Sequence, residues 1–217
     1  MMDINRYLDH AILKPDMTQA EVRAAIQLGI DYKVRTVCVR PCDIEVAVDM
    51  CKGTQTDVSC VLDFPHGTAS SAAKADAAKE YAAKGVLEID MVMNFGLAKS
   101  GEWSRVQQDI EGVVRAAHAQ DVGVKVIFET CYLTVDEIKK GTEVCIAAGA
   151  DFVKTSTGFA TGGATVEAVT AMLEAGRGCI KVKASGGIRD IDTARMYVEM
   201  GVDRLGNGFS STPDICK

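Results

Sequence analysis

The sequence predicts a closed (β/α)8 barrel, the TIM-barrel fold, formed by a single domain over residues 1–217. Short β-rich runs alternate with longer amphipathic segments, the β-rich runs number eight, and no linker or low-complexity segment interrupts them. Strands that alternate with single helices form right-handed βαβ units and therefore a parallel sheet. Eight such units close a parallel sheet into this barrel, here near the lower end of the fold's usual length.

Eight strands and seven helices are predicted, and several helices have recognisable start signals. Thr18 followed by Glu21 forms a capping-box pattern, and Thr134 and Thr165 stand where N-cap residues are expected. Only twelve residues, 206–217, follow the last strand, so the final helix is expected to be truncated. The predicted strands are residues 9–13, 36–39, 57–62, 87–92, 124–128, 152–154, 180–183 and 203–205, and the predicted helices are residues 18–29, 43–51, 70–84, 103–120, 134–148, 165–175 and 190–200.

An open, doubly wound parallel sheet is the alternative architecture. Proteins of that fold often bind dinucleotides through a Gly-x-Gly-x-x-Gly turn directly after the first strand. Here the turn after the first strand reads Lys14-Pro15-Asp16-Met17-Thr18 and contains no glycine. The barrel is therefore the preferred prediction.

Composition excludes several classes of partner. The chain has 24 Lys and Arg residues against 30 Asp and Glu residues, a net charge of -6, and its basic residues are scattered, so no nucleic-acid partner is predicted. The first residues carry charges and no apolar segment of signal-peptide length, and no later run reaches the roughly 18 apolar residues of a membrane span. We expect a cytoplasmic protein that does not bind membranes.

The cysteines and histidines give no metal or cofactor signal. Cys38 and Cys42 have no matching Cys or His pair downstream, and the three histidines, His10, His66 and His118, lack ligand spacing. No metal and no cofactor are predicted. The eight cysteines are expected to be reduced thiols, because five of them lie in apolar or helical patterns: Cys38, Cys60, Cys131, Cys145 and Cys179.

The active site of such a barrel lies at the carboxyl ends of the strands, so polar residues that close apolar runs are the candidates. Two lysines and an aspartate stand out among them and are expected to meet at one end of the barrel. The full set of strand-end residues is Asp9, Lys14, Arg40, Asp63, Asp90, Asn94, Glu129, Lys154, Lys183 and Asn207.

Lys154 and Lys183 each close an apolar run and open a glycine-rich turn. A buried amine beside a second ammonium group loses its proton more easily and becomes a nucleophile toward carbonyls, which predicts Schiff-base chemistry. A strand-end lysine can instead extend to solvent, but the short turn 155–158 leaves little room for that. Spacing alone does not choose between the two lysines. Lys181 shares the pleat face of Lys183 and is expected deeper in the strand, facing a polar layer at the bottom of the barrel.

Asp90 is the candidate proton carrier. Alternation along residues 87–92 places Glu88 and Asp90 on one face and Ile89 and Met91 on the other. Asp90 could serve only as an ion-pair partner, since buried charges need partners. A carboxylate between two lysines can also move protons during carbinolamine formation and C–C cleavage. Glu88 is the competing candidate for this role.

Glycine-rich turns follow the last three predicted strands, at residues 158–163, 185–188 and 206–211. Each alone is an ordinary tight turn. Together they favour a phosphorylated substrate, because glycines allow backbone N–H groups to approach an anion and the last two loops form the usual barrel phosphate site. The candidate substrate-binding and phosphate-binding residues are Asp9, Gly158, Gly186, Gly187, Ser210 and Ser211.

Three motifs together resemble the deoxyribose-phosphate aldolase family: residues 153–159 (VKTSTGF), 182–189 (VKASGGIR) and 88–92 (EIDMV). The resemblance runs from the first strand to the last. It implies a class I aldolase that cleaves 2-deoxy-D-ribose 5-phosphate reversibly to D-glyceraldehyde 3-phosphate and acetaldehyde. It implies further that Lys154 is the Schiff-base lysine, Lys183 the lysine that perturbs it and Asp90 the proton-relay residue. Shorter matching stretches are residues 9–10, 13–15, 37–39, 64–67 and 125–130.

The family resemblance also fixes the expected partners, which are a small sugar phosphate and short aldehydes. Barrels of this kind often pair through exposed helices, so a homodimer is one expected assembly. A non-catalytic sugar-phosphate sensor is disfavoured because Lys154, Lys183 and Asp90 are all present.

Some positions depart from the family pattern. Ala11 stands where the family usually has Thr, Arg40 where Asn often follows Val-Cys-Val, and Asp63 where Gly often precedes Phe-Pro. Asp63 would repel an anion if it faced the site. In residues 204–211 (RLGNGFSS), either two residues are inserted before the serines or Gly208 and Phe209 occupy their places. These departures leave open an aldolase of the same family with a different or non-phosphorylated aldehyde acceptor.

Overall fold

The eight predicted strands close into a barrel within residues 3–217, the part of the chain that the structure, a computed structural model, describes. Every pairing is parallel, neighbours in the chain are neighbours in the barrel, and the eighth strand pairs with the first. The predicted barrel is therefore confirmed, and the alternative of an open, doubly wound sheet is excluded. Residues 1 and 2 of the predicted domain lie outside the described residues. The strands are β1 Leu8–Ile12, β2 Thr36–Val39, β3 Asp57–Leu62, β4 Glu88–Val92, β5 Gly123–Ile127, β6 Phe152–Lys154, β7 Lys181–Ser185 and β8 Arg204–Gly208.

The helices lie where periodicity predicts them, and one short helix was not predicted. That helix, α4, follows β4 and is capped by Asn94, whose side chain accepts a hydrogen bond from the Leu97 N–H. The last helix, α9, has four residues, as expected for a truncated final helix. The helices are α1 Gln19–Asp31, α2 Ile44–Cys51, α3 Ser71–Ala83, α4 Phe95–Lys99, α5 Trp103–His118, α6 Val135–Ala147, α7 Val166–Gly176, α8 Ile191–Glu199 and α9 Thr212–Ile215.

The predicted helix starts are confirmed at atomic detail. Thr18 and Glu21 form a reciprocal capping box at α1, and Thr134 forms another at α6 with Glu137. The Thr165 side chain accepts a hydrogen bond from Ala168 N–H at α7. Each cap satisfies backbone donors that the first turn leaves free, which stabilises a helix by about 1 kcal/mol.

The apolar core lies between the barrel and its helices. Along β5, Val124 and Val126 belong to this core, whereas Lys125 between them does not. The same period of two holds along β4, where Ile89 and Met91 belong to the core. The opposite face of these strands carries Glu88, Asp90 and Lys125, so the barrel interior holds a buried polar cluster.

The eight cysteines are unpaired, and four of them are buried: Cys38, Cys51, Cys60 and Cys145. The interpretation of Cys131 and Cys179 as part of apolar patterns is wrong, because both are exposed. Cys131 lies in the short turn Thr130–Tyr132 after β5, and Cys179 lies in the turn that joins α7 to β7. Within residues 3–217, no helix is both long enough and apolar enough to span a bilayer.

Candidate active site

The carboxyl ends of the strands open into a cavity of about 610 Å³. Its lining includes both lysines of the predicted pair and all six candidate substrate-binding residues: Asp9, Lys154, Gly158, Lys183, Gly186, Gly187, Ser210 and Ser211. Asp90 is absent from the lining because it lies beneath the two lysines. The structure therefore brings these predicted residues together in one cavity.

Lys154 and Lys183 contact the same carboxylate oxygen. The two residues are directly opposite each other in the β6–β7 pairing. The Nζ atom of each donates to Asp90 Oδ2 at 2.7 Å. Only 4% of Lys154 and 1% of Lys183 is exposed, and Asp90 is fully buried. The two amines thus compete for one oxygen in an environment with little access to water.

A second layer of charged residues lies below Asp90. Lys125 Nζ is 2.6 Å from Glu88 Oε2, 2.8 Å from Asp90 Oδ1 and 3.4 Å from Asp9 Oδ2. Arg204 donates to Asp9 Oδ1 at 2.7 Å and to both Glu88 oxygens at 2.9 and 3.0 Å. We refer to these side chains together with the lysine pair as the buried charge cluster: Asp9, Glu88, Asp90, Lys125, Lys154, Lys183 and Arg204.

Asp9 connects the two layers. Its Oδ2 atom accepts from Lys183 Nζ at 2.5 Å, and its Oδ1 atom accepts from Arg204 at 2.7 Å and from the Thr36 hydroxyl at 2.8 Å. Burial acts to raise the pKa of Asp9, but Lys125, Lys183 and Arg204 hold that pKa below its ordinary value. Asp9 lines the cavity with both carboxylate oxygens already engaged, and its predicted substrate contact stays a prediction.

The two lysines of the pair differ in their electrostatic environment. Burial lowers the pKa of Lys154; Asp90 opposes this shift and the Lys183 ammonium adds to it, so the pKa lies below that of an ordinary lysine. Burial also acts to lower the pKa of Lys183, but Asp9 and Asp90 together raise that pKa above its ordinary value. The site therefore combines an amine that loses its proton more easily than an ordinary lysine with one that holds its proton more firmly.

Asp90 is the ionised partner of both lysines. Burial acts to raise the pKa of Asp90, but the ammonium groups of Lys125, Lys154 and Lys183 keep that pKa well below its ordinary value. The competing candidate, Glu88, bonds to Lys125 and Arg204. Of the two carboxylates that alternation places on one face of β4, Asp90 is the one that bonds to the lysine pair.

The prediction for Lys181 is wrong in one respect. Lys181 is the first residue of β7 and is exposed, so it lies below the polar layer that it was expected to face. That layer consists of Lys125, Glu88 and Arg204. The Phe152 ring closes the barrel between Lys181 and this layer, with the ammonium groups of Lys181 and Lys125 5.1 and 5.6 Å from its centroid. Cations at these distances from a ring face are favourably placed.

The loops after β6 and β7 form a wall of backbone. Gly186 and Gly187 have φ values of 88° and 84°, a region that residues with a side chain rarely adopt. A Cβ atom on Gly163 would lie 2.5 Å from the Gly186 carbonyl oxygen, so the two loops approach too closely for any other residue there. The cavity next to Lys183 therefore keeps its peptide groups uncovered.

The end of β8 has no inserted residues in the strand itself. Pairing with β1 continues without interruption through Ala11 and Gly208, and Phe209–Ser211 forms a short turn directly afterwards. This register favours the alternative in which Gly208 and Phe209 occupy the places of the serines that the family pattern leads one to expect. The Phe209 ring lies 6.2 Å from the His10 ring and 5.9 Å from Lys14 Nζ.

Two of the unusual residues do not face the cavity. Arg40 bonds to Asp43 at 2.6 Å and donates to the carbonyl oxygens of the loop after β1, including that of Lys14 at 2.9 Å. Asp63 accepts from Ala69 N–H at 2.9 Å, and its carboxylate is 3.5 Å from Lys74 Nζ. The expected repulsion of an anion by Asp63 therefore does not arise. Ala11 and Phe209, by contrast, line the cavity.

Two cations line the cavity without a carboxylate partner. Lys14 and Arg189 are both exposed and belong to the cavity wall. Within residues 3–217, no carboxylate oxygen lies within 4 Å of either charged group. Free cations in a concave site attract an anionic ligand.

The described residues hold no cluster of three or more His, Cys, Asp or Glu side chains arranged for a metal ion. His10 is buried and fully engaged: its Nε2–H donates to the Ala25 carbonyl oxygen at 2.9 Å, and its Nδ1 accepts from the Thr212 hydroxyl at 2.7 Å. Burial lowers the pKa of His10 to about 4, so the ring is neutral at neutral pH.

Sequence reasoning did not select Lys125 and Arg204 as site residues. One signal was available for Lys125, because it is a charged residue between Val124 and Val126, which both belong to the apolar core. A charged side chain at such a position must be paired inside the barrel. The partners themselves were not visible in the sequence.

A parallel (β/α)8 barrel whose mouth contains a buried amine, a second ammonium group and a shared carboxylate is the architecture of an aldolase. The family model described as DeoC/LacD family aldolase matches residues 4–217. The chain belongs to this family.

Curated relatives and solved structures agree with this assignment. The deoxyribose-phosphate aldolase of Thermoanaerobacter sp. (strain X514) is 43% identical over 206 residues, which are 94% of this chain and 92% of that protein. The solved structure of an aldolase called QR15 has a TM-score of 0.93 at 39% identity and covers 100% of this chain and 95% of its own. A tetrameric deoxyribose phosphate aldolase from Aeropyrum pernix has a TM-score of 0.90 at 28% identity, and the match covers 98% of this chain and 89% of that chain.

Proposed function

We propose that this chain catalyses the reversible cleavage of 2-deoxy-D-ribose 5-phosphate to D-glyceraldehyde 3-phosphate and acetaldehyde. The observation that carries the proposal is the pair of buried lysines on one Asp90 oxygen, one with a lowered pKa and one with a raised pKa. Schiff-base formation needs a neutral amine next to a proton donor; in this pair the lysine with the lowered pKa loses its proton more easily, and the lysine with the raised pKa holds its proton more firmly. The name shared by the curated relatives supports the substrate.

Lys154 is the proposed nucleophile. Its neutral Nζ adds to the C1 aldehyde carbon of the open-chain sugar, and the carbinolamine loses water to give a protonated imine. Removal of the C3 hydroxyl proton then breaks the C2–C3 bond, and the electron pair moves to the imine nitrogen. Glyceraldehyde 3-phosphate leaves, C2 of the remaining enamine takes up a proton, and hydrolysis releases acetaldehyde and restores the amine.

Lys183 and Asp90 are the proposed proton carriers. Asp90 accepts hydrogen bonds from the Nζ atoms of both lysines, so a proton can pass between Lys154 and Lys183 through its Oδ2 atom. Lys183 lines the cavity while Asp90 does not, which makes Lys183 the member that faces the substrate. Its positive charge also favours the neutral form of Lys154.

The far end of the cavity is the proposed phosphate site. Gly158, Gly186 and Gly187 offer uncovered backbone, and Ser210 and Ser211 follow the end of β8. Lys14 and Arg189 add two unpaired positive charges to the same wall. Backbone donors and free cations are the groups that bind a dianionic phosphate.

A second candidate function is an aldolase with a different or non-phosphorylated aldehyde acceptor. Two aromatic rings favour it, because Phe209 lines the cavity and Phe159, which is half exposed, packs edge-on against Phe64 at 5.1 Å. Rates measured with deoxyribose 5-phosphate and with deoxyribose separate the two candidates. A preference for the phosphorylated sugar supports the first candidate, and equal rates support the second.

Borohydride reduction in the presence of acetaldehyde tests the chemistry. The protein is treated with both reagents, digested and mapped by mass spectrometry. We expect one ethylated peptide that contains Lys154, whereas an adduct on Lys183 or no adduct would contradict the assignment. Lys154→Met, treated in the same way, is the control for non-specific reductive alkylation.

The proposed partners are small molecules, a sugar phosphate and short aldehydes. A homodimer, a cytoplasmic location and a single domain over residues 1–217 stay predictions. Sedimentation of the purified protein tests the assembly.

A further inference from the structure

We propose that Lys125 is a positioning residue that holds Asp90 in its ionised state and fixed orientation, so that Lys154 instead of Lys183 becomes the reactive amine. This inference rests on the proposed function, because it explains how the neutral amine arises. Lys125 does not line the cavity, so it acts through Asp90 without touching the substrate.

The contact geometry gives Lys125 control over one oxygen of Asp90. The two residues are directly opposite each other in the β4–β5 pairing, and Lys125 Nζ donates to Asp90 Oδ1 at 2.8 Å. This contact occupies the oxygen that faces away from the lysine pair and leaves Oδ2 to Lys154 and Lys183. Rotation of the carboxylate would break contacts on both oxygens at once.

Lys125 is itself held rigidly. Its ammonium group is 2.6 Å from Glu88, and Glu88 receives two hydrogen bonds from Arg204. The Phe152 ring lies on another side, 5.6 Å from Lys125 Nζ. Burial acts to lower the pKa of Lys125, but the surrounding carboxylates raise that pKa above its ordinary value, so the group stays charged.

The buried charge cluster has more cations than carboxylates, and this excess determines which amine loses its proton most easily. Three carboxylates, Asp9, Glu88 and Asp90, face four cationic side chains. Lys154 has one carboxylate within 4 Å, whereas Lys183 and Arg204 have two each and Lys125 has three. An uncompensated buried charge is removed most readily by loss of its proton, and Lys154 is the amine with the fewest partners.

Lys125 strengthens this selection through Asp90. Because its positive charge offsets part of the Asp90 charge, Asp90 binds the proton of Lys154 less strongly. Removal of the Lys125 charge is therefore expected to raise the pKa of Asp90 and of Lys154 together. Lys125 lies on β5, and each of the remaining strands of the described barrel contributes a titratable or charged group to its surroundings. These groups are Asp9, Cys38, Cys60, Glu88, Asp90, Lys154, Lys181, Lys183 and Arg204.

The first test compares Lys125→Met with the wild type in steady-state kinetics over a pH range. At neutral pH we expect kcat to fall by about 10²-fold with little change in KM, because the amine fraction falls while the cavity wall is unchanged. The acidic limb of the kcat/KM profile is expected to move to higher pH. In Lys125→Arg, which keeps the positive charge, the acidic limb of the kcat/KM profile is expected to lie close to its wild-type position.

The second variant guards against a simple folding defect. Glu88→Gln combined with Lys125→Met removes one negative and one positive charge together, so no new net charge is buried. Lys74→Met is the matched control, because Lys74 is also a fully buried lysine in an ion pair but lies outside the cavity. The control is expected to lose stability and keep the wild-type pH profile.

Competitive labelling with acetic anhydride separates failure of this inference from failure of the proposed function. Only neutral amines react, so the labelling rate of Lys154 relative to exposed Lys52 reports its protonation without any turnover. We expect Lys125→Met to slow Lys154 labelling at neutral pH. A folded double variant with wild-type labelling and a wild-type pH profile would overturn the role of Lys125. Absent turnover with the expected labelling change would overturn only the proposed reaction.

Discussion

The molecule buries lysines in two places, and the two places differ in how many carboxylates surround them. Lys74 on α3 bonds to Asp109 on α5 at 2.6 Å, has Asp63 at 3.5 Å and donates to the Val92 carbonyl oxygen at 3.1 Å. The buried charge cluster has four cations for three carboxylates. One region has more negative than positive groups, and the other has the reverse.

This difference teaches that burial alone does not identify a reactive lysine. An ammonium group with more than one carboxylate is held in its charged form. In a cluster with too few carboxylates, the least satisfied amine lowers its free energy by giving up a proton. Lys154 is that amine, and it is the one whose pKa is lowered in the cluster.

The largest expected effect follows from removal of Lys154. Lys154→Met is expected to reduce kcat/KM by about 10⁴-fold or more, because no other amine of the cluster is free to form the imine. Its stability is expected to remain at or above that of the wild type, since the other charges keep their partners. Retained activity together with a borohydride adduct on Lys183 would reverse the assignment of the two lysines.

Removal of the structural lysine, Lys74, is expected to affect stability instead of catalysis. Lys74→Met is expected to lower the free energy of unfolding by about 4 kcal/mol, because Asp109 is left buried without its cation. Urea denaturation measures this loss, and addition of Asp109→Leu is expected to recover much of it. A change in the pH dependence of catalysis would show that Lys74 is coupled to the cavity, and would contradict its assignment as a purely structural lysine.

His10 extends the comparison to a buried base that has only neutral partners. Its pKa is about 4 in the folded protein and 6.5 when unperturbed, so the unfolded chain binds the proton first as pH falls. The stabilisation is complete above pH 6.5 and is lost progressively toward pH 4, a change of about 3 kcal/mol. Denaturation midpoints of wild type and His10→Gln across this range check it; equal slopes would exclude His10 as the source.

Removal of the perturbing charge has the smallest expected effect. Lys183→Leu is expected to lower activity at neutral pH by about 10²-fold, because the pKa of Lys154 rises when the adjacent positive charge is lost. Part of the activity is expected to return at higher pH. Lys181→Leu, an exposed lysine on the same strand, is the matched control and should behave as wild type. Near-normal rates in Lys183→Leu at neutral pH would argue against the like-charge effect.

Most of the fold was predictable because its signals are local. The caps at Thr18, Thr134 and Thr165 and the alternation of short and long patterns placed the helices. The end of β8 was less predictable, since the strand continues to Gly208 through a glycine-rich stretch without strand propensity. Short helix α4 was missed because it depends on a single Asn94 cap.

The site was predictable in position but not in its electrostatics. Strand ends brought Lys154 and Lys183 to one cavity, and the choice between them came from the family resemblance. The physical reason lies in contacts between residues far apart in the chain, such as Asp9 with Lys183, which are separated by 174 positions. Periodicity shows which side chains point into the barrel, but it does not show how many carboxylates each one meets.

The pH dependence of Lys154 labelling in the wild-type protein shows directly whether the buried charge cluster lowers the pKa of Lys154. Acetic anhydride reacts with each neutral amine, and mass spectrometry of the digest compares Lys154 with exposed Lys52 in the same sample. We expect Lys154 labelling to rise at lower pH than Lys52 labelling, and this separation to shrink in Lys183→Leu. A Lys154 curve that coincides with that of Lys52, or lies at higher pH, would contradict the claim that this cluster produces a neutral amine.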